Sequence, residues 1–268
     1  MNIAVISCIH GNYEALITVL QDIDAHQVDQ IVCLGDLVGY GPYPHGVVEL
    51  IQSLEIPVVQ GCWDEDVTHG LNACECSYPS LLAERRGRLA HEWTVQQLHP
   101  ESLDYLAGLP KIYRQKNLGF VHGSPYSQHE YLLPDLDGLL ALERAIAADV
   151  EVLFCGHTHV PYDRTLSGGT LTVRVNGVPQ TIPAPAKRII NVGSVGEPRH
   201  GRPHATYVIY DTDSGVATLR EVPYDYRRTC AAIIEQGLPT IFAWRLAQGL
   251  EFAERAEDAS HLCSRGVG

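Results

Sequence analysis

The sequence predicts an α/β fold, and two observations carry that prediction. Apolar runs of strand length alternate with helical periodicity in the N-terminal part, and polar residues follow the predicted strand ends. This βαβαβ pattern is typical of a mainly parallel sheet whose loops gather at the carboxyl ends of the strands, where ligands bind. With 268 residues, 45% of them hydrophobic, we predict a single domain over residues 1–268, with a helical tail from about residue 229.

The first predicted helix depends on the spacing of Leu16, Leu20 and Ile23, which places apolar side chains on one face. The third predicted strand ends at Gly61. The predicted elements of this part are strands over residues 3–7, 30–34 and 57–60 and helices over residues 13–26 and 47–54.

The middle of the chain is predicted to be mostly helical and the later part to be richer in strands. Ser167-Gly168-Gly169 predicts a hairpin turn within residues 164–173. The prolines of residues 178–185 leave that segment a loop or an edge strand. The remaining predictions are helices over 81–109, 136–148 and 229–256, the last broken near 237–239, and strands over 118–122, 150–155, 188–192, 205–211 and 216–222.

Charge and composition exclude several classes of function. The formal net charge of −13 argues against general nucleic-acid binding and against membrane-surface binding, but a small phosphorylated substrate needs only a local positive site. The start lacks a basic leader and no apolar stretch is long enough to cross a bilayer, so we predict a cytoplasmic protein. Eight cysteines in such a chain favour free thiols or metal ligands over a disulfide framework. A homo-oligomer is left open.

Five segments that follow predicted strands carry the residue types of a metal site. Imidazole is the commonest protein ligand for metals, and a carboxylate is well suited to bridge two ions held ~3.5–4 Å apart. Asp36 is the one carboxylate directly after a core strand and a glycine. The sequence therefore predicts a binuclear site at one edge of the sheet. The segments are Ser7–Asn12, Gly35-Asp36, Gly61–Asp64, Val121–Ser124 and Gly156–His159.

The order of these motifs resembles the calcineurin-like metallophosphoesterase superfamily, in particular its YfcE-like bacterial branch. The resemblance covers nearly the whole chain and implies a four-layer αββα sandwich with mixed sheets. It also implies hydrolysis of a phosphomonoester or phosphodiester by a hydroxide bound to two metals. The further segments that carry the resemblance are Gly35–Pro42, His122–Pro125, Asn191–Arg199 and Gly237–Pro239.

The resemblance assigns roles to five of the candidate ligands. It implies that His10 and His159 bind the first metal, that His122 and His157 bind the second, and that Asp36 bridges them. Asp36 and His10 are also candidate catalytic residues.

Three positions depart from the family's pattern. Cys8 stands where the family has an aspartate on the first metal, Cys62 where it has an asparagine on the second, and Trp63 where it has a catalytic histidine. We predict that both cysteines are metal ligands. The alternatives are two buried apolar residues or a disulfide between them.

Thiolate ligands change both the metal preference and the charge of the predicted site. They favour zinc and iron over magnesium and manganese. With two divalent metals, three anionic ligands and a bridging hydroxide, the site is neutral, whereas the family arrangement is positive by one unit. A ferric–divalent pair restores that charge. We therefore predict two metal ions, iron and/or zinc, with iron in at least one position and manganese left open.

Without the family's histidine, the general acid must come from elsewhere or be lost. General acid–base catalysis is worth ~10²–10⁴-fold, so hydrolysis should survive best for good leaving groups. Asp64 is our candidate acid, with His69 as its alternative.

On the substrate side, Asn12, Ser124 and Arg199 are candidate contacts, since the guanidinium fork of an arginine can grip phosphate oxygens. The alternatives are that Asn12 orients a ligand and that Arg199 forms a surface salt bridge. Trp63 is either a hydrophobic wall of the pocket or a surface that stacks on a base or ring.

The other cysteines receive weaker interpretations. Cys74 and Cys76 match no standard zinc or iron–sulfur spacing, although they could add further ligands. Cys33 and Cys155 lie inside predicted strands and are interpreted as core residues.

Three functions remain open at this point. The first is a metal-dependent phosphoesterase acting on a small phosphorylated substrate. The second is a thiolate–iron redox enzyme or a redox or ligand sensor, and the third is an inactive binding scaffold. The fold alone does not choose between them, because function depends on the site.

Overall fold

The computed structural model describes residues 1–70, 80–166, 169–175, 178–184 and 186–250. The predicted Cys74 and Cys76 ligands and residues 251–256 of the predicted tail helices lie outside these ranges. The strands are β1 (Asn2–Ile6), β2 (Gln30–Cys33), β3 (Ile112–Gln115), β4 (Leu118–Val121), β5 (Val152–Cys155), β6 (Tyr162–Leu166), β7 (Gly169–Val175), β8 (Val178–Ala184), β9 (Lys187–Asn191), β10 (Ala205–Asp211) and β11 (Ala217–Val222). The helices are α1 (Tyr13–Ala25), α2 (Pro44–Ser53), α3 (Cys62–His69), α4 (Leu81–Gln97), α5 (Pro100–Ala107), α6 (Gly138–Ala147), α7 (Tyr226–Glu235) and α8 (Thr240–Gln248).

Two mixed sheets form the centre of the fold. The first sheet has the order β11-β10-β1-β2, in which β1 and β2 are parallel and the other neighbours are antiparallel. The second has the order β3-β4-β5-β9-β6, in which β4, β5 and β9 are parallel. The strands β7 and β8 form a separate antiparallel pair.

The side chains of β1 show how the layers are built. Successive residues of a strand face opposite sides of the sheet. Ile3 and Val5 lie in a core cluster between the two sheets, together with Phe120 and Phe154, whose rings stack at 5.1 Å. Ala4 lies in another cluster, against the helices that cover the first sheet.

The second sheet is covered on its outer face by α6. Ala141 and Ala145 of this helix pack on Val121, Leu153 and Ile189. The order of layers is therefore helices, first sheet, second sheet, helix. The predicted four-layer αββα sandwich with mixed sheets is confirmed.

Several predicted elements differ from the observed ones. Helix α3 begins inside the third motif and was not predicted, because its acidic run masks helical periodicity. Strand β3 was also missed, because its half-exposed edge position needs no apolar run. Residues 57–60 form only a parallel bridge between Val58 and Cys33. The predicted helix over 81–109 is divided, since Pro100 begins α5.

The hairpin of the later part lies elsewhere than predicted. Strand β7 pairs with β8, whereas β6 pairs with β9, so the described hairpin does not turn at residues 167–169. Ser167 and Gly168 lie outside the described residues. Residues 178–184 form a strand, which settles the choice between a loop and a strand.

Among the described residues, no helix combines the length and the apolar character that a bilayer crossing requires.

Candidate metal centre

All the candidate ligands except Cys62 follow the carboxyl ends of parallel strands, and Cys62 lies in the first turn of α3. Cys8 and His10 come after β1, Asp36 after β2, and His122 after β4. His157 and His159 come after β5, the neighbour of β4. The parallel strands of both packed sheets therefore place these residues at one edge of the sandwich.

The side chains meet in two groups that share one carboxylate. Within each group, the ligand atoms lie within 4.8 Å of one another, and every member is buried. The first ligand group is Cys8, His10, Asp36 and His159, and the second ligand group is Asp36, Cys62, His122 and His157.

In the first ligand group, two imidazoles face each other. The Nε2 atoms of His10 and His159 lie 3.1 Å apart, and Nε2 of His10 lies 3.5 Å from Oδ2 of Asp36. Nδ1 of His10 donates to the carbonyl of Val38 at 3.0 Å, and Nδ1 of His159 donates to that of Glu197 at 2.6 Å. These carbonyls fix the tautomer that presents Nε2 to the group, as the hydrogen-bond partners of metal-bound histidines do.

The second ligand group has a similar arrangement with one difference. Nε2 of His122 lies 3.2 Å from Oδ2 of Asp36 and 3.2 Å from Nδ1 of His157, while Nδ1 of His122 donates to the carbonyl of Leu34. His157 thus presents Nδ1 rather than Nε2. The Cys62 sulfur lies 3.6 Å from both Oδ2 of Asp36 and Nδ1 of His157.

These donors fit metal ions on electrostatic grounds. Burial lowers the pKa values of His10 and His159, so both rings are neutral. Because each Nδ1 carries a proton, two Nε2 lone pairs face one another beside the Asp36 carboxylate. That contact is repulsive unless a cation lies between the nitrogens, and a mixed nitrogen, sulfur and oxygen set suits zinc or iron.

Backbone strain is concentrated in the same residues. Positive φ angles are found at Cys8 (53°), His10 (49°), Asp36 (54°), His157 (63°) and His159 (59°). A non-glycine residue in this region costs on the order of 1–3 kcal/mol, and such residues cluster at functional sites. These backbone conformations therefore lower the stability of the fold, and they bring the ligand side chains close to one another.

Asp64 holds the loop that carries Asp36. Its carboxylate accepts backbone N–H bonds from Asp36, Leu37 and Gly61 at 2.8, 2.9 and 3.0 Å. Gly61 is required there, because a Cβ atom at that position would lie 2.2 Å from Oδ1 of Asp36. The third motif thus packs directly on the shared ligand.

Both cysteines of the two groups are buried thiols that form no disulfide, so the alternative of a disulfide between them is wrong. Burial, followed by the Asp36 carboxylate, raises the pKa of each thiol well above its usual value. A bound cation has the opposite effect, since coordination deprotonates a thiol.

Comparison with known proteins identifies the family. Residues 1–215 match the calcineurin-like phosphoesterase superfamily domain. The chain belongs to this superfamily. The predicted family is therefore confirmed.

Relatives of the same length support this assignment. A metallophosphoesterase from Sphaerobacter thermophilus is 34% identical, with a TM-score of 0.74 over 93% of this chain and 99% of its own. The uncharacterised protein MJ0912 of Methanocaldococcus jannaschii is 34% identical over 92% of this chain and 98% of its own. The hypothetical protein PH1004 of Pyrococcus horikoshii is similar in fold, at 23% identity and a TM-score of 0.74 over 94% and 99%.

Of the two roles considered for Asn12, its contacts favour orienting a ligand over contacting the substrate. Its Nδ2 donates to the Gly196 carbonyl and to the Tyr224 hydroxyl, at 2.9 and 2.8 Å. Its Oδ1 accepts from Ala15 N–H, which caps α1, and from the Thr229 hydroxyl. All the hydrogen-bonding capacity of the amide is used inside the protein, so Asn12 positions the His10 loop instead of binding substrate.

Asp64 and Trp63 are both buried in the structure. The fully buried Asp64 carboxylate accepts three backbone N–H bonds, while burial and the Asp36 carboxylate raise its pKa to about 7. Its role as an acid stays a prediction. Trp63 is 1% exposed and packs edge-on against Tyr40 at 4.7 Å. It is therefore a wall within the core and not a stacking surface. His69, the alternative acid, is exposed at the end of α3 and its ring contacts the Glu65 carbonyl.

Ser124 and Arg199 both lie beside the groups. The Ser124 hydroxyl oxygen accepts N–H bonds from Tyr126 and Ser127 and so closes a turn after His122. Arg199 forms a buried ion pair with Glu197, at 2.9 Å, in place of the surface salt bridge considered above. Their contacts with substrate stay predictions.

Sequence reasoning missed three residues that border the centre. Glu197 accepts from His159 and pairs with Arg199, and Arg245 of α8 pairs with Glu197. The ring of Tyr131 lies 4.0 Å from that of His157. Of these three residues, only Glu197 lies within a motif that the sequence analysis names, Asn191–Arg199. No sequence pattern marks Arg245 or Tyr131.

Proposed function

We propose that this protein is a phosphoesterase that acts on a small phosphorylated substrate with two metal ions, one in each ligand group. The observation that carries this proposal is the pair of buried groups that share Asp36 within a chain of the calcineurin-like phosphoesterase superfamily. The predicted ligands Cys8, His10, Cys62, His122, His157 and His159 would complete the two coordination sets.

The donor set supports zinc and/or iron as the resident metals, with iron in at least one position. Each group offers one sulfur, two imidazoles and the shared carboxylate. When bound, two such ions activate water as a nucleophile and stabilise charge on phosphoryl oxygens.

Arg199 supports the binding of an anionic substrate. Burial is the main cause of the lowered pKa values of His10 and His157, and the charge of Arg199 adds to both effects. Its field therefore reaches both ligand groups. We propose that its guanidinium orients the phosphate, with the Ser124 hydroxyl hydrogen as a second donor.

Burial of the centre supports a small substrate rather than a polymer. No residue of either ligand group is more than 3% exposed, and the chain carries a net charge of −13. Both the burial of the ligand groups and the negative net charge disfavour the binding of long polyanions.

The test is hydrolysis of two aryl phosphates, 4-nitrophenyl phosphate and bis(4-nitrophenyl) phosphate, by protein purified without added metal. We expect metal in the purified protein and hydrolysis that stops when a chelator removes the metal. A triple variant, Cys8→Asp/Cys62→Asn/Trp63→His, restores the family's residue types and serves as the comparison.

Two results would contradict the proposal. Protein that holds no zinc or iron, as purified or after incubation with either ion, would remove its basis. Hydrolysis by the triple variant alone would favour the redox, sensor or scaffold alternatives, and a redox-dependent visible spectrum would favour the first two.

A further inference from the structure

Helices α7 and α8 lie beyond the matched superfamily domain, which ends at residue 215, yet they reach the first ligand group. Arg245 of α8 forms an ion pair with Glu197, from Nη2 to Oε1 at 2.8 Å. The same glutamate accepts the Nδ1–H of His159 on its backbone oxygen and has Oε2 3.4 Å from that nitrogen. One residue, Glu197, thus connects α8 to a ligand.

Helix α7 is connected through Asn12 to the loop that carries His10, the other histidine of the group. The Thr229 hydroxyl donates to Oδ1 of Asn12 at 3.0 Å, and Nδ2 of Asn12 donates to Tyr224, just before α7, at 2.8 Å. Asn12 is two residues from His10, whose φ angle is 49°. A strained loop of this kind persists only where its surroundings determine it.

Aromatic packing supplies a third connection. The Phe242 ring of α8 meets the Tyr40 ring at 5.1 Å, and Tyr40 lies 4.9 Å from the His10 ring. The Arg245 guanidinium also lies over Tyr40, at 5.1 Å from the ring centre. Both histidines of the first ligand group are therefore held from the same two helices.

We propose that α7 and α8 position the first ligand group for metal binding, with Arg245, Thr229 and Tyr224 as positioning residues. The inference rests on the proposed metal centre, and it adds that these helices set the metal affinity of the first ligand group. Loss of a partner that orients a metal-bound ligand typically lowers metal affinity 10–100-fold.

The test isolates the first ligand group by the substitution Cys62→Ser, which removes the thiolate of the second. Cobalt(II) bound to Cys8 then gives a thiolate-to-metal absorption band that reports the first group alone. We expect Arg245→Gln in this background to weaken cobalt binding about 10–100-fold. Arg245→Lys, which keeps the charge, should restore part of the affinity.

The matched control is Arg228→Gln, which removes an arginine of α7 whose ion pair with Glu14 is exposed. It should leave cobalt affinity unchanged. The unfolding midpoint of each metal-free protein shows whether the substitution acts on the fold alone. A lowered midpoint with unchanged affinity in Arg245→Gln would overturn the inference.

A second variant decides the matter if Arg245→Gln does not fold. Thr229→Val removes the hydroxyl that holds Asn12, and Thr94→Val on α4 is its buried control. We expect Thr229→Val to weaken cobalt binding several-fold and Thr94→Val to leave it unchanged. Equal cobalt affinity in Thr229→Val and Thr94→Val would contradict the inference. If neither Cys62→Ser nor the wild-type protein showed a cobalt band, the result would instead count against the proposed metal centre.

Discussion

The two ligand groups share Asp36 and the same donor types, but the protein holds them in different ways. All the ligands of the first group have positive φ angles, whereas only Asp36 and His157 do in the second. The first group depends on contacts from α7 and α8, as between Asn12 and Thr229, which are 217 positions apart. The second places Cys62 at the first turn of α3.

The difference teaches that the two halves of one centre can carry different amounts of backbone strain. A helix N-terminus favours an anionic sulfur, which supports a Cys62 thiolate once a cation is bound, although burial and nearby carboxylates raise the pKa of the thiol in the metal-free site. Cys8 lacks a helix and instead accepts the His157 backbone N–H at 3.3 Å. The first group is therefore the one that should respond to distant changes.

The largest expected effect comes from the residue that the groups share. Asp36→Ala should remove metal from both groups, because each loses a carboxylate donor. Since loss of an outer partner alone costs 10–100-fold in metal affinity, loss of this ligand should exceed about a hundredfold. Metal content and aryl phosphate hydrolysis would measure it. Retention of two ions per chain in Asp36→Ala would show that Asp36 is not a bridge. The control is Asp213→Asn, a substitution at an exposed aspartate that should leave the metal content unchanged.

Removal of one thiolate should separate the groups. Cys8→Ser and Cys62→Ser should each reduce the metal content from two ions to one, because each takes a sulfur donor from a single group. Cys230→Ser, a half-buried cysteine on α7, should leave the content at two. Metal analysis after dialysis measures all three proteins. A loss of both ions in either variant would mean that the groups bind as a unit.

How far the sequence predicted this centre can be judged from particular residues. His10, Asp36, His122, His157 and His159 follow apolar strand runs, and parallel strands bring such ends together, so local pattern and topology suffice for their placement. The sandwich follows from the same alternation and from the resemblance.

The sequence left the roles of Asn12 and Trp63 open between alternatives and did not predict the contacts of Asp64, because all three depend on partners that are distant along the chain. Asn12 is satisfied by Tyr224 and Thr229, and Asp64 by the backbone of the Asp36 loop. Trp63 looks exposed in a motif of catalytic residues, yet a Cβ atom on Gly39 would lie 2.5 Å from its ring. Periodicity carries no information on such contacts.

The smallest expected effect lies away from both groups and serves as a reference for stability. Burial raises the pKa of Asp22, but hydrogen bonds from Arg220 and Tyr207 outweigh burial and lower it. Because the folded pKa lies below the unfolded one, the stabilisation is present above the unfolded pKa of about 4 and is lost as pH falls through the folded pKa.

Asp22→Asn should therefore lower the free energy of unfolding at pH 7 by about 1 kcal/mol, with unchanged metal content. Denaturant unfolding from pH 7 to pH 2 would show the gap to wild type closing at the acid end. A gap that widens as pH falls would contradict the sign, and Asp24→Asn, an exposed neighbour on α1, is the control.

The central claim is that Cys8 and Cys62 bind metal as thiolates, and X-ray absorption of the zinc-loaded protein tests it most directly. The account predicts one sulfur neighbour per zinc at about 2.3 Å, with nitrogen and oxygen neighbours near 2.0–2.2 Å, and in Cys62→Ser still one sulfur per zinc at half the zinc content. A shell of nitrogen and oxygen alone, with both zinc ions bound, would show that the cysteines remain thiols and would contradict the claim.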